Sequence, residues 1–265
     1  MLDFSLINNI QKKLIVSNNP FPNIIMKNTL PLEVIKKAEQ EFISFDKFFE
    51  HPPYRYGWCK SSCNNFDKMP TTVKSIISFF YSKNFLALLE KNFNLKNILP
   101  DWKMWGAGMH GSTKGGHLTV HSDFIYQRKT KTRRVLNLLL YLNSDWKDEW
   151  NGHIELWNKQ MTKKTLSLSP SLNNMLIFRT DKDSNHGFPD KILCPDTVMR
   201  KSIALYYYVE ENRTFPIQIR KRKYFTTVWK KRPNTSVPEF MDRDSLWRKV
   251  KYKYLPSFFL NNKES

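Results

Sequence analysis

Gly115-Gly116-His117-Leu118-Thr119-Val120-His121-Ser122-Asp123-Phe124 is the stretch whose conformation decides the rest of the chain. Side chains two apart on a strand share a face, so as a strand this segment projects His121 and Asp123 together, with His117 on the same parity. As a helix it would pair His117 with His121 at i, i+4, half of a zinc site. Gly115 and Gly116 oppose a helix, while Thr119 and Val120 favour a strand. No Glu follows His117, so the strand is the better reading. His117 then reads as a structural residue or one supporting the ligands from behind.

Short β-rich runs continue on either side of turn residues: Arg134 to Leu142, Gly152 to Trp157, Lys164 to Ser169, Asn174 to Arg179 and Lys201 to Val209. Their spacing predicts a sandwich or jelly roll. Upstream, Pro20 to Met26 reads as a short strand, and Glu33 to Phe42 carries helical periodicity. Residues 45 to 70 read as irregular. Thr71 to Lys91 forms one amphipathic helical pattern, with Val73, Ile76, Ile77, Phe80, Leu86 and Leu89 at helical spacing. Helices first and strands after predict an α+β fold with helices buttressing one side of a β core. Three regions follow: residues 1–100 as a strand and helical support, 101–212 as the catalytic β core, and 213–265 as a basic aromatic extension.

Composition bounds the alternatives. Forty per cent apolar and 14% aromatic content in 265 residues supplies a packed core and excludes wholesale disorder. Three cysteines (Cys59, Cys63 and Cys194) make no disulfide framework, which fits a reducing compartment. Cys59 and Cys63 read as ordinary thiols. The N-terminal residues carry no basic segment followed by a long apolar one, and no apolar run reaches the roughly 18 residues that span a bilayer. A cytoplasmic chain with no transmembrane segment is expected.

The net charge is +19, from 43 Lys and Arg against 24 Asp and Glu. From Arg213 to Ser265 there are 14 basic and 4 acidic residues, and a second basic cluster comprises Arg128, Lys129, Lys131, Arg133 and Arg134. Such fields favour anionic partners. In the tail, the Arg220 to Phe225 run and the Trp229 to Arg232 run interleave bases with aromatic rings, which makes nucleic acid an alternative partner. Leu255 to Leu260 beside basic residues leaves peripheral membrane contact open. A closing helix is expected near Asp244 to Tyr254.

His186 lies between Asp183 and Pro189, where Gly187 and Pro189 mark a loop or strand end. It reads either as a surface histidine or as a third ligand. Arg200 opens the next strand with Ser202 on its own parity, while Lys201 has the opposite parity and is expected to face outward. Burying Arg200 is costly unless an anion meets it. Two imidazoles and one carboxylate can hold a ferrous ion on one face and leave the other positions free. An arginine fork suits a carboxylate co-substrate.

Taken together, these motifs resemble the prolyl 4-hydroxylase-like branch of the 2-oxoglutarate/iron(II) oxygenases. The similarity runs from about residue 20 to 210 and includes Pro20 to Asn23, Gly115 to Phe124, Arg134 to Trp146, Asn151 to Trp157, His186 and the Arg200 strand. The gap from His186 to Arg200 is longer than the family's commonest spacing. The resemblance implies a double-stranded β-helix (jelly-roll) core. It implies Fe(II) held by His121, Asp123 and His186, with 2-oxoglutarate and O2 as co-substrates. It also implies Arg200, with Ser202 and Tyr141, on the far carboxylate of 2-oxoglutarate, although Tyr141 equally reads as a core tyrosine. Asp123 points to hydroxylation, because related halogenases lack this carboxylate. The expected substrate is an anionic small molecule, a glycan or a prolyl residue, met at the pocket rim by Arg128, Lys129 and Lys131. Oligomeric state is not legible.

Overall fold

The computed structural model describes residues 2–43, 58–127, 129–211 and 227–233. The chain divides into two compact units, Met1–Lys230 and Lys231–Ser265. The division expected at residue 212 falls inside the first unit, because Val228 and Trp229 join its sheet. Residues Arg128, Arg220 to Phe225, Asp244 to Tyr254 and Leu255 to Leu260 lie outside the described residues.

Local signals start the helices. α1 (Phe4–Lys13), an element the sequence pattern does not single out, begins where the Asp3 carboxylate accepts from the Leu6 amide at 3.2 Å. α2 (Leu32–Ile43) follows the expected periodicity. The single amphipathic pattern expected from Thr71 is instead two helices, α3 (Thr71–Phe80) and α4 (Lys83–Phe93). Ser82 divides them, its hydroxyl accepting from the Phe85 amide. Asn94 then closes α4 in the left-handed conformation, with φ 49°. Among the described residues, no helix is long and apolar enough to cross a membrane.

The strands in chain order are β1 (Asn23–Met26), β2 (Trp58–Cys63), β3 (Leu99–Pro100), β4 (Gly108–Ser122), β5 (Tyr126–Gln127), β6 (Thr132–Tyr141), β7 (Ile154–Trp157), β8 (Lys164–Leu168), β9 (Met175–Arg179), β10 (Asn185–Phe188), β11 (Arg200–Glu210) and β12 (Val228–Trp229). β2 occupies part of the stretch expected to be irregular. The main order is β1-β9-β6-β11-β4-β10-β7-β8, with antiparallel pairing between neighbours. β4 is the hinge of this arrangement. Its first half pairs with β11 and β2, and its second half with β10 and β12. The sheet curls there, giving the two facing sheets of a double-stranded β-helix, a jelly-roll relative.

Alternation along the strands divides the core in two. Met175 and Ile177 of β9, Leu136, Leu138 and Leu140 of β6, and Ile203, Leu205 and Tyr207 of β11 pack with Ile35, Phe42, Phe80, Phe85 and Leu89 of the helices. The opposite parity turns into the sandwich, where Tyr141, Leu176 and Phe178 meet Ile154, Leu156 and Leu168. Burial on both faces explains why these strands read as nearly continuous apolar runs. Lys201 departs from expectation. It points away from the sandwich but is only 8% exposed, because α2 covers that face and brings Glu39 Oε1 within 3.6 Å of its ammonium.

The segment holding His186 is a strand rather than a loop, and Gly187 is what lets it approach β4. A Cβ at Gly187 would stand 2.7 Å from the Leu118 carbonyl oxygen and 2.9 Å from Val120 Cα, both backbone atoms that cannot swing aside. Gly187→Ala should therefore cost about 1–3 kcal/mol, lowering the melting temperature by several degrees. An unchanged transition in thermal unfolding would contradict this close approach.

Candidate metal centre

His121 and Asp123 come from the end of β4 and the residue just past it, and His186 comes from the neighbouring β10. The register places His186 directly opposite His121, with ring centroids 4.5 Å apart. All three residues are buried, and one ligand atom from each lies within 4.8 Å of the others. They form the only such group of His, Cys, Asp and Glu among the described residues. His117 is not part of it; its Nδ1 lies 3.3 Å from the Gly115 carbonyl.

Hydrogen bonding selects which nitrogens face inward. Nδ1 of His121 lies 2.8 Å from the Thr119 carbonyl, and Nδ1 of His186 lies 2.9 Å from the Ser184 carbonyl. A carbonyl oxygen only accepts, so each Nδ1 carries a proton, and in the neutral ring Nε2 is the nitrogen left with a lone pair. Those Nε2 atoms converge on Asp123, 3.5 Å from Oδ1 for His121 and 3.4 Å from Oδ2 for His186. Two imidazole Nε2 atoms and a carboxylate aimed at one point are a donor set that fits iron(II). Charge distribution agrees. Burial, followed by the nearby His121, lowers the His186 pKa to about 4, keeping its lone pair available. Burial works against the Asp123 anion, yet the permanently charged Arg134 beside it holds its carboxyl well below the usual range.

Sequence reasoning misses the part played by Arg134. By sequence it belongs to a basic cluster at the rim, whereas the residue is 1% exposed and its Nη2 lies 3.1 Å from Asp123 Oδ2. Arg133 is also taken, by Glu211 at 2.6 Å. Of that cluster, Lys129 and Lys131 are exposed on the turn that follows, Lys129 lying 5.5 Å from the centroid of the exposed Trp105 ring. Trp229, a stacking surface only in the alternative reading as a nucleic-acid binder, pairs through β12 with β4 and sets its ring 5.0 Å from that of His121.

Arg200 opens β11 facing into the sandwich. Its Nε donates to the Gly152 carbonyl at 2.7 Å and one Nη to the Tyr141 hydroxyl at 3.4 Å. Phe188, two residues from His186, lies against the guanidinium at 4.3 Å. Ser202 is buried beside Tyr141, its cross-strand partner. Gly152 has φ 77°, and a Cβ there would stand 3.1 Å from Arg200 Cδ, so a bare backbone at this point lets the arginine lie flat. Among the described residues, no carboxylate makes an ion pair with Arg200.

Residues 107–208 match the model of the 2OG-Fe(II) oxygenase superfamily. No curated protein matches the chain. Among solved structures, a prolyl-4-hydroxylase from Pseudomonas putida is 12% identical with a TM-score of 0.53, covering 80% of this chain and 100% of its own. A Trichoplax adhaerens prolyl hydroxylase in complex with a hypoxia inducible factor peptide is 16% identical with a TM-score of 0.48, covering 77% of this chain and 87% of its own. HygX from Streptomyces hygroscopicus, with nickel, 2-oxoglutarate and hygromycin B bound, is 9% identical with a TM-score of 0.47, covering 72% and 84%. At 12% identity the likeness to the Pseudomonas protein is one of fold.

Adding Mn(II) or Co(II) should raise the melting temperature, because a metal at about 100 times its Kd stabilises the folded chain by roughly 2.7 kcal/mol. His186→Ala should abolish that increment, and an increment that survives would remove His186 from the ligand set. The metal-free chain should also lose stability as pH falls from 6.5 towards 4. In that window the unfolded chain protonates His186 while the folded chain keeps it neutral. The Asp123 contribution is lost only lower, as pH falls below the ordinary carboxylate value of 3.8. Flat stability across pH 4 to 6.5 would contradict the buried neutral imidazole.

Proposed function

We propose that this 2-oxoglutarate- and iron(II)-dependent dioxygenase hydroxylates a C–H bond of an anionic substrate, a small molecule, a glycan or a prolyl residue of a peptide. His121, Asp123 and His186 would hold the iron through two Nε2 atoms and a carboxylate oxygen. The bound metal and 2-oxoglutarate supply the oxidising chemistry, with O2 consumed and succinate and CO2 released.

The observation that carries this reading is the buried guanidinium of Arg200. A permanently charged group in a dry site is costly without a counter-ion, and the described residues offer it a carbonyl, a hydroxyl and two ring faces instead. A dicarboxylate entering beside the metal residues would supply the missing charge. Arg200 would then fix the far carboxylate, with the Tyr141 and Ser202 hydroxyls as further donors. Phe188 and Tyr141 would exclude water around that pair, strengthening it.

For the substrate, support comes from the exposed Lys129 and Lys131 on the turn after β5, a few residues beyond Asp123. Arg128, which lies outside the described residues, belongs to the same run. The nucleic-acid alternative finds no support in the described part of the tail, where Trp229 is engaged beside His121.

Succinate release by the purified chain across a panel of anionic and neutral substrates tests the reading. Arg200→Met should raise the KM for 2-oxoglutarate at least about tenfold, in line with loss of a charged hydrogen bond of roughly 1.5–3 kcal/mol, while leaving metal binding intact. Lys129→Gln with Lys131→Gln should raise the KM of the prime substrate alone. Unchanged 2-oxoglutarate kinetics in Arg200→Met would sink the assignment of that residue.

A further inference from the structure

The second carboxylate oxygen of Asp123 is held by two buried side chains that the proposed chemistry leaves without a role. Arg134 Nη2 lies 3.1 Å from Oδ2, and Asn137 Nδ2 donates to the same atom at 2.9 Å. Both donors are themselves fixed. Arg134 Nε donates to Asn137 Oδ1 at 2.7 Å, and the Thr180 hydroxyl donates to that same oxygen at 3.2 Å. The guanidinium lies over the Tyr206 ring, 3.3 Å from its centroid, with Phe124 at 5.2 Å. Tyr206 is tied in turn by its hydroxyl to the Gly106 carbonyl at 2.8 Å. Arg134 and Asn137 are 1% and 2% exposed, so water does not compete for these bonds. Each carboxylate oxygen faces one histidine Nε2, Oδ1 that of His121 at 3.5 Å and Oδ2 that of His186 at 3.4 Å, but the Arg134 and Asn137 contacts both fall on Oδ2.

We infer that Arg134 and Asn137 are positioning residues that engage Oδ2 and leave Oδ1 as the one oxygen Asp123 offers to the metal. The inference rests on His121, Asp123 and His186 being the ligand set. A carboxylate with both oxygens free can grip a metal through both, occupying a position that a three-ligand oxygenase site keeps open. Two donors on Oδ2 compete with that second bond. A lysine at 134 would keep the charge but lose the planar fork and its seat between two rings.

Co(II) titration of the full chain, followed by the visible spectrum, tests this, because that spectrum responds to coordination number. In Arg134→Met the Co(II) Kd should rise about 10–100-fold and the spectrum should shift; Asn137→Ala should move both in the same direction by less. Arg134→Lys should recover part of the affinity but not the wild-type spectrum. If the wild-type chain binds no Co(II), the ligand assignment itself fails. If it binds, and both variants keep wild-type circular dichroism, Kd and spectrum, the positioning inference fails while the ligand assignment stands. A lowered melting temperature with unchanged Kd and spectrum would also overturn it, leaving a purely structural ion pair. Should Arg134→Met not fold, Asn137→Ala decides between these outcomes.

Discussion

Antiparallel pairing of β10 with β4 sets His186 opposite His121, and the remaining geometry of the centre follows from that register. A slip of one residue would turn His186 to the other face of the sheet and separate the two imidazoles. Two features hold the register. β4 is long enough to pair with β11 and β2 along its first half and with β10 and β12 along its second, so its position is set from four sides. Gly187, without a Cβ, lets β10 come within contact of the β4 backbone beside the histidine it carries.

The centre buries three charges and treats them differently. Asp123 and Arg134 neutralise each other at 3.1 Å, with Asn137 completing the bonding of the shared oxygen. Buried ions are tolerated where partners and hydrogen bonds are complete. Arg200 has hydrogen bonds and ring faces but no carboxylate among the described residues. The two arginines share a sheet and a depth of burial, yet one is satisfied by the fold and the other is suited to an anion brought in from outside. On that asymmetry rest the two proposed roles, Arg134 shaping the metal site and Arg200 receiving a co-substrate.

The connection between His186 and Arg200 has a packing role. The connection carries Ile192 and Cys194, which pack with Trp146 and Phe188 into a small cluster. Phe188 belongs to that cluster and also lies against the Arg200 guanidinium, so the connection packs behind a ring that covers the arginine. β12 adds a comparable cover on the other side of the centre, where the Lys230 amide donates to the Val120 carbonyl at 2.8 Å and Trp229 lies beside His121.

Much of the site is legible in the chain itself. His121 with Asp123, and Arg200 with Ser202, are pairs two residues apart, and strand periodicity alone sets them on common faces. The helical faces of α2, α3 and α4 are equally local. Other features depend on distant partners. Lys201 obeys its parity but is buried, because α2 covers the face it reaches. Arg134 defeats parity altogether. Opposite β11, Tyr207 pairs with Leu136 and Tyr208 with Arg134, so Val135 is an extra residue in β6. Such a bulge shifts alternation by one position and brings Arg134 and Asn137, three apart, onto the face of Asp123. The sequence by itself determined which side chains repeat along each strand, because that period is built into the backbone. Only the tertiary structure decided which strands meet, in what register and where one bulges, because those choices depend on partners many residues away.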